Sequence, residues 1–413
     1  MVHQTIPTRI NKASKASSKI RPMTVSLLLR VSMALIVGTL AACSSGPRVS
    51  GSSGASSDGP STGFPTGEVI DTAPLGPPSF RAKSRWLPVR WAELPGFQDD
   101  ALHEAWNAWL RSCERPPAAL AGLCQDVRRL SIASVQEQSH WLQSNLQPYR
   151  VESLDGKSQG MLTSYYEPEM VGSRVRTAEF NIPLYRVPAS LGARKPWFSR
   201  QQIDTLPEAQ AALAGREIAW LNDPIEALVL HIQGSGRLRI TEPDGSVRQI
   251  RLAYAATNDQ PYKSVGRWLL DRNLITDASW PGISAWIAVN PDRVQEMLWS
   301  NPRYVFFREE ALEGLDAQFG PKGAQGVPLT PGRSIAVDRG SIPYGTPVWM
   351  YSKGMEVEYK RLVLAQDTGS AIVGAVRADY FMGWGKQAGD LAGRIKQPLR
   401  LWALWPKGMP VPQ

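Results

Sequence analysis

Three aspartates near the C-terminus each sit at the end of a short apolar run: Asp338 in Ala336-Val337-Asp338-Arg339-Gly340, Asp367 in Ala365-Gln366-Asp367-Thr368-Gly369 and Asp379 in Arg377-Ala378-Asp379-Tyr380-Phe381. A carboxylate at a strand end is held by rigid backbone yet stays reachable, which proton transfer requires. Three such ends from one small sheet can converge on one pocket. A single Asp beside Gly or Ser is an ordinary turn former, so the weight rests on the three together. Three carboxylates also suit a hard cation, and the residues alone leave that choice open.

Other chemistries are poorly supplied. The chain has no strand-linked GxSxG elbow, no P-loop and no HExxH helix, and Gly234-Ser235-Gly236 lacks the context of a phosphate loop. Its four histidines and three cysteines provide no zinc pattern. His231, within an alternating strand-like run, reads as a structural histidine rather than a base. Carboxylates remain the candidate acid/base groups.

The location of this chemistry is written at the N-terminus. Residues 1–42 contain Arg9, Lys12, Lys15, Lys19, Arg21 and Arg30, no acid, and an apolar run from Val31 to Ala42. This is a secretory signal, too short to span a bilayer comfortably. It ends in Leu40-Ala41-Ala42-Cys43, which resembles a bacterial lipobox, so Cys43 is the expected lipid attachment point, and Ser44 after it points to the outer membrane. Either Met1 or Met23 serves as a start.

Removing the signal changes the charge argument. The chain has 46 Lys+Arg against 37 Asp+Glu, but six of the basic residues precede Cys43, leaving 40 against 37. The basic surplus expected of a nucleic-acid binder largely disappears. With Cys43 lipidated, Cys113 and Cys124 form an even pair in an oxidising compartment and are expected to be joined.

Residues 43–80 are rich in Ser, Gly and Pro and read as a flexible tether. Beyond it, Asp99 and Asp100 precede a helical face of Leu102, Ala105, Trp106, Trp109, Leu110 and Cys113. A second amphipathic helix runs from about Ser131 to Leu146, with Ser134 and Glu137 spaced as a capping box at its start. Gly160 to Tyr166 is β-rich, and from Ile182 short strands alternate with turns. Ala227 to Gln233 reads as a strand, Gly234-Ser235-Gly236 as a turn, and Arg237 to Ile240 as the returning strand, which ends at Pro243-Asp244-Gly245. Helices follow near Lys263 to Leu274 and after Asn290-Pro291. Strands return at Tyr304 to Phe307 and across Gly332 to Tyr351. A Gly-rich helix, Gly383 to Ile395, precedes a last strand, Leu399 to Trp405. A mainly β, α+β sequence without regular βαβ alternation argues for a small barrel rather than a doubly wound sheet.

Leu162-Thr163-Ser164-Tyr165-Tyr166-Glu167-Pro168, His231-Ile232-Gln233-Gly234-Ser235-Gly236, Asn301-Pro302-Arg303-Tyr304-Val305-Phe306-Phe307 and the three-aspartate segment together resemble the membrane-bound lytic murein transglycosylase A family. The closing segment, about 330–405, resembles the three-aspartate (3D) domain. The resemblance implies a double-psi β-barrel built from residues 81–170 and 302–413, with a smaller β-rich domain inserted at 171–301 and a glycan groove between them. It implies non-hydrolytic cleavage of the β-1,4 bond between N-acetylmuramic acid and N-acetylglucosamine, leaving 1,6-anhydromuramoyl ends. Asp379 matches the family's acid/base, with Asp367 as the group that tunes it. Thr163, Tyr165, Tyr166, Gln233, Gly234, Ser235 and Asp338 are the further substrate-binding candidates, with the securing of the barrel's loops as the other reading of Asp338.

A buried Asp or one beside a second carboxylate gains the raised pKa that an acid needs at neutral pH. No cofactor or metal is implied. The expected partners are peptidoglycan strands and the outer-membrane lipid anchor, with cell-wall synthases as further candidates, no nucleic acid, and a monomeric chain. The alternative is a non-catalytic peptidoglycan-binding lipoprotein using the same groove.

Overall fold

Apolar residues in the C-terminal strands alternate between two cores, which explains their near-continuous hydrophobic runs. Val348 and Met350 face one core with Val363, Ala365, Leu401, Ala403 and Trp405. Trp349 faces the other with Leu362, Leu364, Trp402 and Leu404. In the computed structural model, which describes residues 71, 72 and 74–413, the first core fills the interior of a sheet and the second lies beneath covering helices. Residues 1–42, Cys43 and most of the 43–80 tether lie outside the described residues. Among the described residues no helix is long and apolar enough to cross a membrane.

Among the described residues fifteen strands form two sheets. β1 to β4 are Ser79–Phe80, Arg85–Pro88, Leu146–Glu152 and Gly160–Glu167. β5 to β10 are Glu169–Ser173, Ile182–Tyr185, Glu217–Leu221, Gly236–Thr241, Val247–Thr257 and Val305–Ala311. β11 to β15 are Ser334–Val337, Pro347–Lys353, Glu358–Asp367, Arg377–Trp384 and Lys396–Pro406. The first sheet takes its strands from both ends of the chain, in the order β1-β2-β3-β15-β12-β13-β11-β14-β4, and a further β15–β4 pairing joins six of them into a barrel-like circuit. The second sheet, β10-β9-β8-β5-β7-β6, comes wholly from the intervening chain.

Helices seal the first sheet. Leu102–Ser112 presents Leu102, Ala105, Trp106 and Trp109 to the core shared with β12, β13 and β15. Its start is tied down by Arg333, which is buried and donates to both oxygens of Asp100 at 2.8 and 2.9 Å. Val135–Asn145 opens with the expected capping box, Ser134 and Glu137 each bonding the other's backbone N–H. Cys113 and Cys124 are joined in a disulfide.

The strand expected over Ala227 to Gln233 is instead the end of a helix, Pro224–Gln233. Asp223 caps it by accepting from Ile225 N at 2.7 Å, Pro224 occupies the first turn, and Gly234 ends it at φ +83°, where a side chain would be strained. A short apolar run has no decisive period, so these terminal signals decide it. A helix at Trp280–Val289 and two short ones at Arg200–Thr205 and Pro207–Leu213 were also not anticipated.

The sheets meet at one buried charge cluster. Glu167, at the end of β4, is fully buried and accepts from Arg237 Nε on β8 at 2.8 Å and from Arg251 Nε on β9 at 2.5 Å. Both guanidiniums also donate to the Phe319 carbonyl in the strap that returns to the first sheet. Such a charged group is tolerable away from water only when its hydrogen bonds are complete, and here they lock the second sheet onto the first.

Candidate active site

Sheet register brings two of the three aspartates together. β11 lies between β13, which runs parallel to it, and β14, which runs antiparallel. Ala336 on β11 is opposite Asp367 on one side and Asp379 on the other, so the two carboxylates flank one small residue. Asp379, Asp367 and Ala336 line a cleft of about 630 Å³, together with Gln233 of the helix Pro224–Gln233, Tyr254 of β9 and Arg303 of the loop that leads into β10.

Asp379 has one oxygen engaged and one open. Thr163, its register partner on β4, donates its hydroxyl to Oδ1 at 2.5 Å. Arg377, two residues back on β14, donates in turn to the Thr163 oxygen at 2.8 Å. Among the described residues nothing bonds Oδ2. Because a hydroxyl already donates to Oδ1, the proton of the acid form belongs on Oδ2. Burial pushes Asp379 up to about 6, against the opposing Thr163 hydrogen bond and Arg377 charge, and Asp367 adds to the rise.

Asp367 is held as an acceptor. Tyr165 donates its hydroxyl to Oδ2 at 2.8 Å, and Ala324 N–H donates to Oδ1 at 2.9 Å. The second bond depends on a close approach: a Cβ on Gly323 would stand 2.5 Å from the Gln366 carbonyl. Burial raises the Asp367 pKa, opposed by the Thr368, Tyr165 and Ala324 hydrogen bonds. Burial and the nearby Asp367 carboxylate hold the Tyr165 hydroxyl well above the usual phenol range, so it remains a donor.

Asp338 does not join them. It is not among the cleft-lining residues; its two oxygens accept from Gly340 N and Gly374 N, each at 2.9 Å, fastening its own turn to the 369–375 loop. Thr163 and Tyr165 reach the site through the two aspartates. Gln233, Gly234 and Ser235 line the cleft, and the Gln233 Oε1 accepts from Tyr166 N at 3.1 Å. The Tyr166 side chain is not part of the lining and lies against Gly389.

His231 is a wall residue on a helix. It is 6% exposed, with Nδ1 2.8 Å from Arg200 Nη2. A guanidinium only donates, so Nδ1 accepts and the ring proton lies on Nε2. Burial and the Arg200 charge push its pKa well below the ordinary value, so it stays neutral.

Two contributors were missed from sequence. Arg377 stands at i−2 from Asp379, the same face of a strand, and that spacing was a usable signal. Ala324 acts through its backbone N–H, which no residue type announces. Chemically, the arrangement offers one carboxyl able to give and take a proton at a single oxygen, supported by a second that is permanently hydrogen-bonded.

Comparison with known proteins places this geometry in context. Residues 161–308 match the MltA specific insert domain, and residues 333–405 match the 3D domain. Membrane-bound lytic murein transglycosylase A of Escherichia coli K12 is 32% identical over 273 residues, covering 63% of this chain and 70% of that one. The solved structure of the lytic transglycosylase LtgG of Burkholderia pseudomallei is 42% identical, with a TM-score of 0.55, over 83% of this chain and all (100%) of that one. E. coli MltA with bound chitohexaose is 25% identical, with a TM-score of 0.60, over 81% and 95% of the two chains.

Proposed function

The chain belongs to the membrane-bound lytic murein transglycosylase A family, and we propose that, as a lytic transglycosylase of peptidoglycan, it cleaves the β-1,4 bond between N-acetylmuramic acid and N-acetylglucosamine without water. The observation that carries this reading is Asp379: a carboxyl on the cleft floor with Oδ1 held by Thr163, Oδ2 open and its pKa pushed up to about 6.

Glycosidases ordinarily need two working carboxylates, one to protonate the leaving oxygen and one to attack or to activate water. One suffices when the nucleophile belongs to the sugar. Asp379 gives its Oδ2 proton to the glycosidic oxygen as the bond from the muramoyl C1 breaks. The same sugar's O6 then bonds to C1, and the O6 proton passes to Asp379, which restores the acid and leaves a 1,6-anhydromuramoyl end. Asp367 raises the Asp379 pKa through its charge, and Thr163 and Arg377 orient Asp379. Asp338 secures the loops around them.

We assign the first sheet, drawn from both ends of the body, to a double-psi barrel, and the second sheet, running from Glu169 to Ala311, to the inserted domain. The parallel pairings β11–β13 and β14–β4 and the β15–β4 closure support that assignment. Lipidation at Cys43 after cleavage of the 1–42 signal would hold the enzyme at the outer membrane, facing the periplasm. The test is product analysis: protein lacking residues 1–43 is incubated with murein sacculi and the soluble products are examined by mass spectrometry. Anhydro-muropeptides are expected. Reducing ends would mean a hydrolase, and unaltered sacculi that retain the protein would mean a binding module.

A further inference from the structure

Charge along the cleft is one-sided. Arg115, Arg303, Arg308 and Lys322 line it, whereas among the described residues Asp367 and Asp379 are its only acidic lining residues. Arg308 is engaged by Glu310 at 2.8 Å. Among the described residues the side chains of Arg115, Arg303 and Lys322 make no hydrogen bond, ion pair or ring contact. Arg303 is half-buried, and an unpaired guanidinium partly withdrawn from water is an unfavourable arrangement unless a ligand completes it.

The three cations come from three separate segments, each anchored. Arg115 lies in the loop closed by the Cys113–Cys124 disulfide, with its guanidinium near Gly326. The main chain of Arg303 is pinned at both ends: its N–H donates to Asn301 Oδ1 at 3.3 Å, and its carbonyl accepts from Arg200 Nη2 at 3.0 Å. Lys322 neighbours Gly323, whose close approach brings Ala324 to Asp367. Hydroxyl and acetamido groups of a neutral glycan need no cation, so this convergence requires another explanation. Resting on the transglycosylase reading, we infer that Arg115, Arg303 and Lys322 recognise the carboxylates that hang from the lactyl arms of the muramic residues. The cleft therefore selects anionic strands over neutral ones of the same backbone. Those carboxylates are either the lactyl groups themselves or the peptide stems attached to them.

Binding is measured in the Asp379→Asn background, so that strands remain intact, with three ligands: stem-bearing strand fragments, amidase-stripped strands that keep the lactyl carboxylate, and chitohexaose. At low salt the anionic ligands are expected to bind about tenfold more tightly than chitohexaose, and raising the salt from about 50 to about 500 mM should remove most of that margin. Arg303→Gln and, separately, the exposed Lys322→Gln are each expected to weaken the anionic ligands by about three- to tenfold and chitohexaose by less than about twofold. A margin kept by stripped strands assigns the recognition to the lactyl carboxylate, and a margin found only with stems assigns it to the peptide. Equal affinity for all three ligands, a margin insensitive to salt, or variants that lose all three ligands alike would each overturn the inference. Failure of the transglycosylase reading registers separately, as sacculi without anhydro ends.

Discussion

Replacing Asp379 by Asn should abolish turnover while making the protein more stable at neutral pH than at acid pH, relative to wild type. The side chains are close to isosteric, and the amide oxygen can still accept from Thr163. An amide neither gives nor takes the proton, so release of anhydro-muropeptides should fall by at least about 10³-fold. The stability effect follows from linkage. In the folded protein Asp379 titrates at about 6 instead of 3.8. Below the lower value both states carry the proton and there is no difference. Between the two, the native state holds a proton that the unfolded state has lost, so this residue's contribution to stability declines as pH rises and is lost above about 6. A rise of that size corresponds to about 3 kcal/mol, and partial opening to the cleft lowers the realistic figure to about 2 kcal/mol. Asn escapes this cost. The melting temperature of the variant minus that of wild type should therefore climb by about 3 °C between about pH 4 and about pH 8. Thermal scans of both proteins at matched pH give that slope, whatever constant offset the amide introduces. A flat difference, or one that falls with pH, would refute a desolvated Asp379, and residual anhydro products would refute its role as proton shuttle.

Three other outcomes follow from the same contacts. In the proposed mechanism Asp379 starts the reaction protonated, so kcat/KM should decline above about pH 6, and Thr163→Val, which removes a hydrogen bond that favours the ionised form, should move that limb to higher pH; initial rates from about pH 4 to about pH 8 decide it, and an unmoved limb counts against the Thr163 contact. Glu167→Gln leaves Arg237 and Arg251 buried beside a neutral group, so the thermal midpoint should drop by about 4–7 °C, whereas a drop under about 1 °C would mean the cluster does not lock the sheets. Cys113→Ser with Cys124→Ser should cost about 2–3 kcal/mol, seen in chemical denaturation as a loss that reductant reproduces in wild type but not in the variant.

Much of the barrel-like sheet was legible because its strands have unambiguous patterns. β13 and β15 carry apolar residues too densely for a half-exposed strand, and the capping box at Ser134 and Glu137 marks a helix start without tertiary information. The inserted region was harder. Pro224–Gln233 is short and apolar, and its identity as a helix rests on Asp223 and Gly234 at its two ends, which a count of alternating residues overlooks. Trp280–Val289 is almost wholly apolar, so no face announces a period, and its burial against Leu228, Val265 and Leu269 is settled only by the packing of distant segments.

The aspartates show the same division between local and long-range causes. All three occupy similar local sequence, a short apolar run ending near small residues, and sequence alone ranks them nearly alike. What separates them is pairing. Ala336 stands in register with both Asp367 and Asp379, while Asp338, two residues further along the same chain, has already left the strand and turned its oxygens to Gly340 and Gly374. The difference in their surroundings thus comes from strand register rather than residue type. A carboxylate whose oxygens are both taken by backbone N–H groups has no open oxygen for a substrate, whereas Asp379 keeps Oδ2 open because the hydroxyl supplied by the neighbouring strand takes Oδ1.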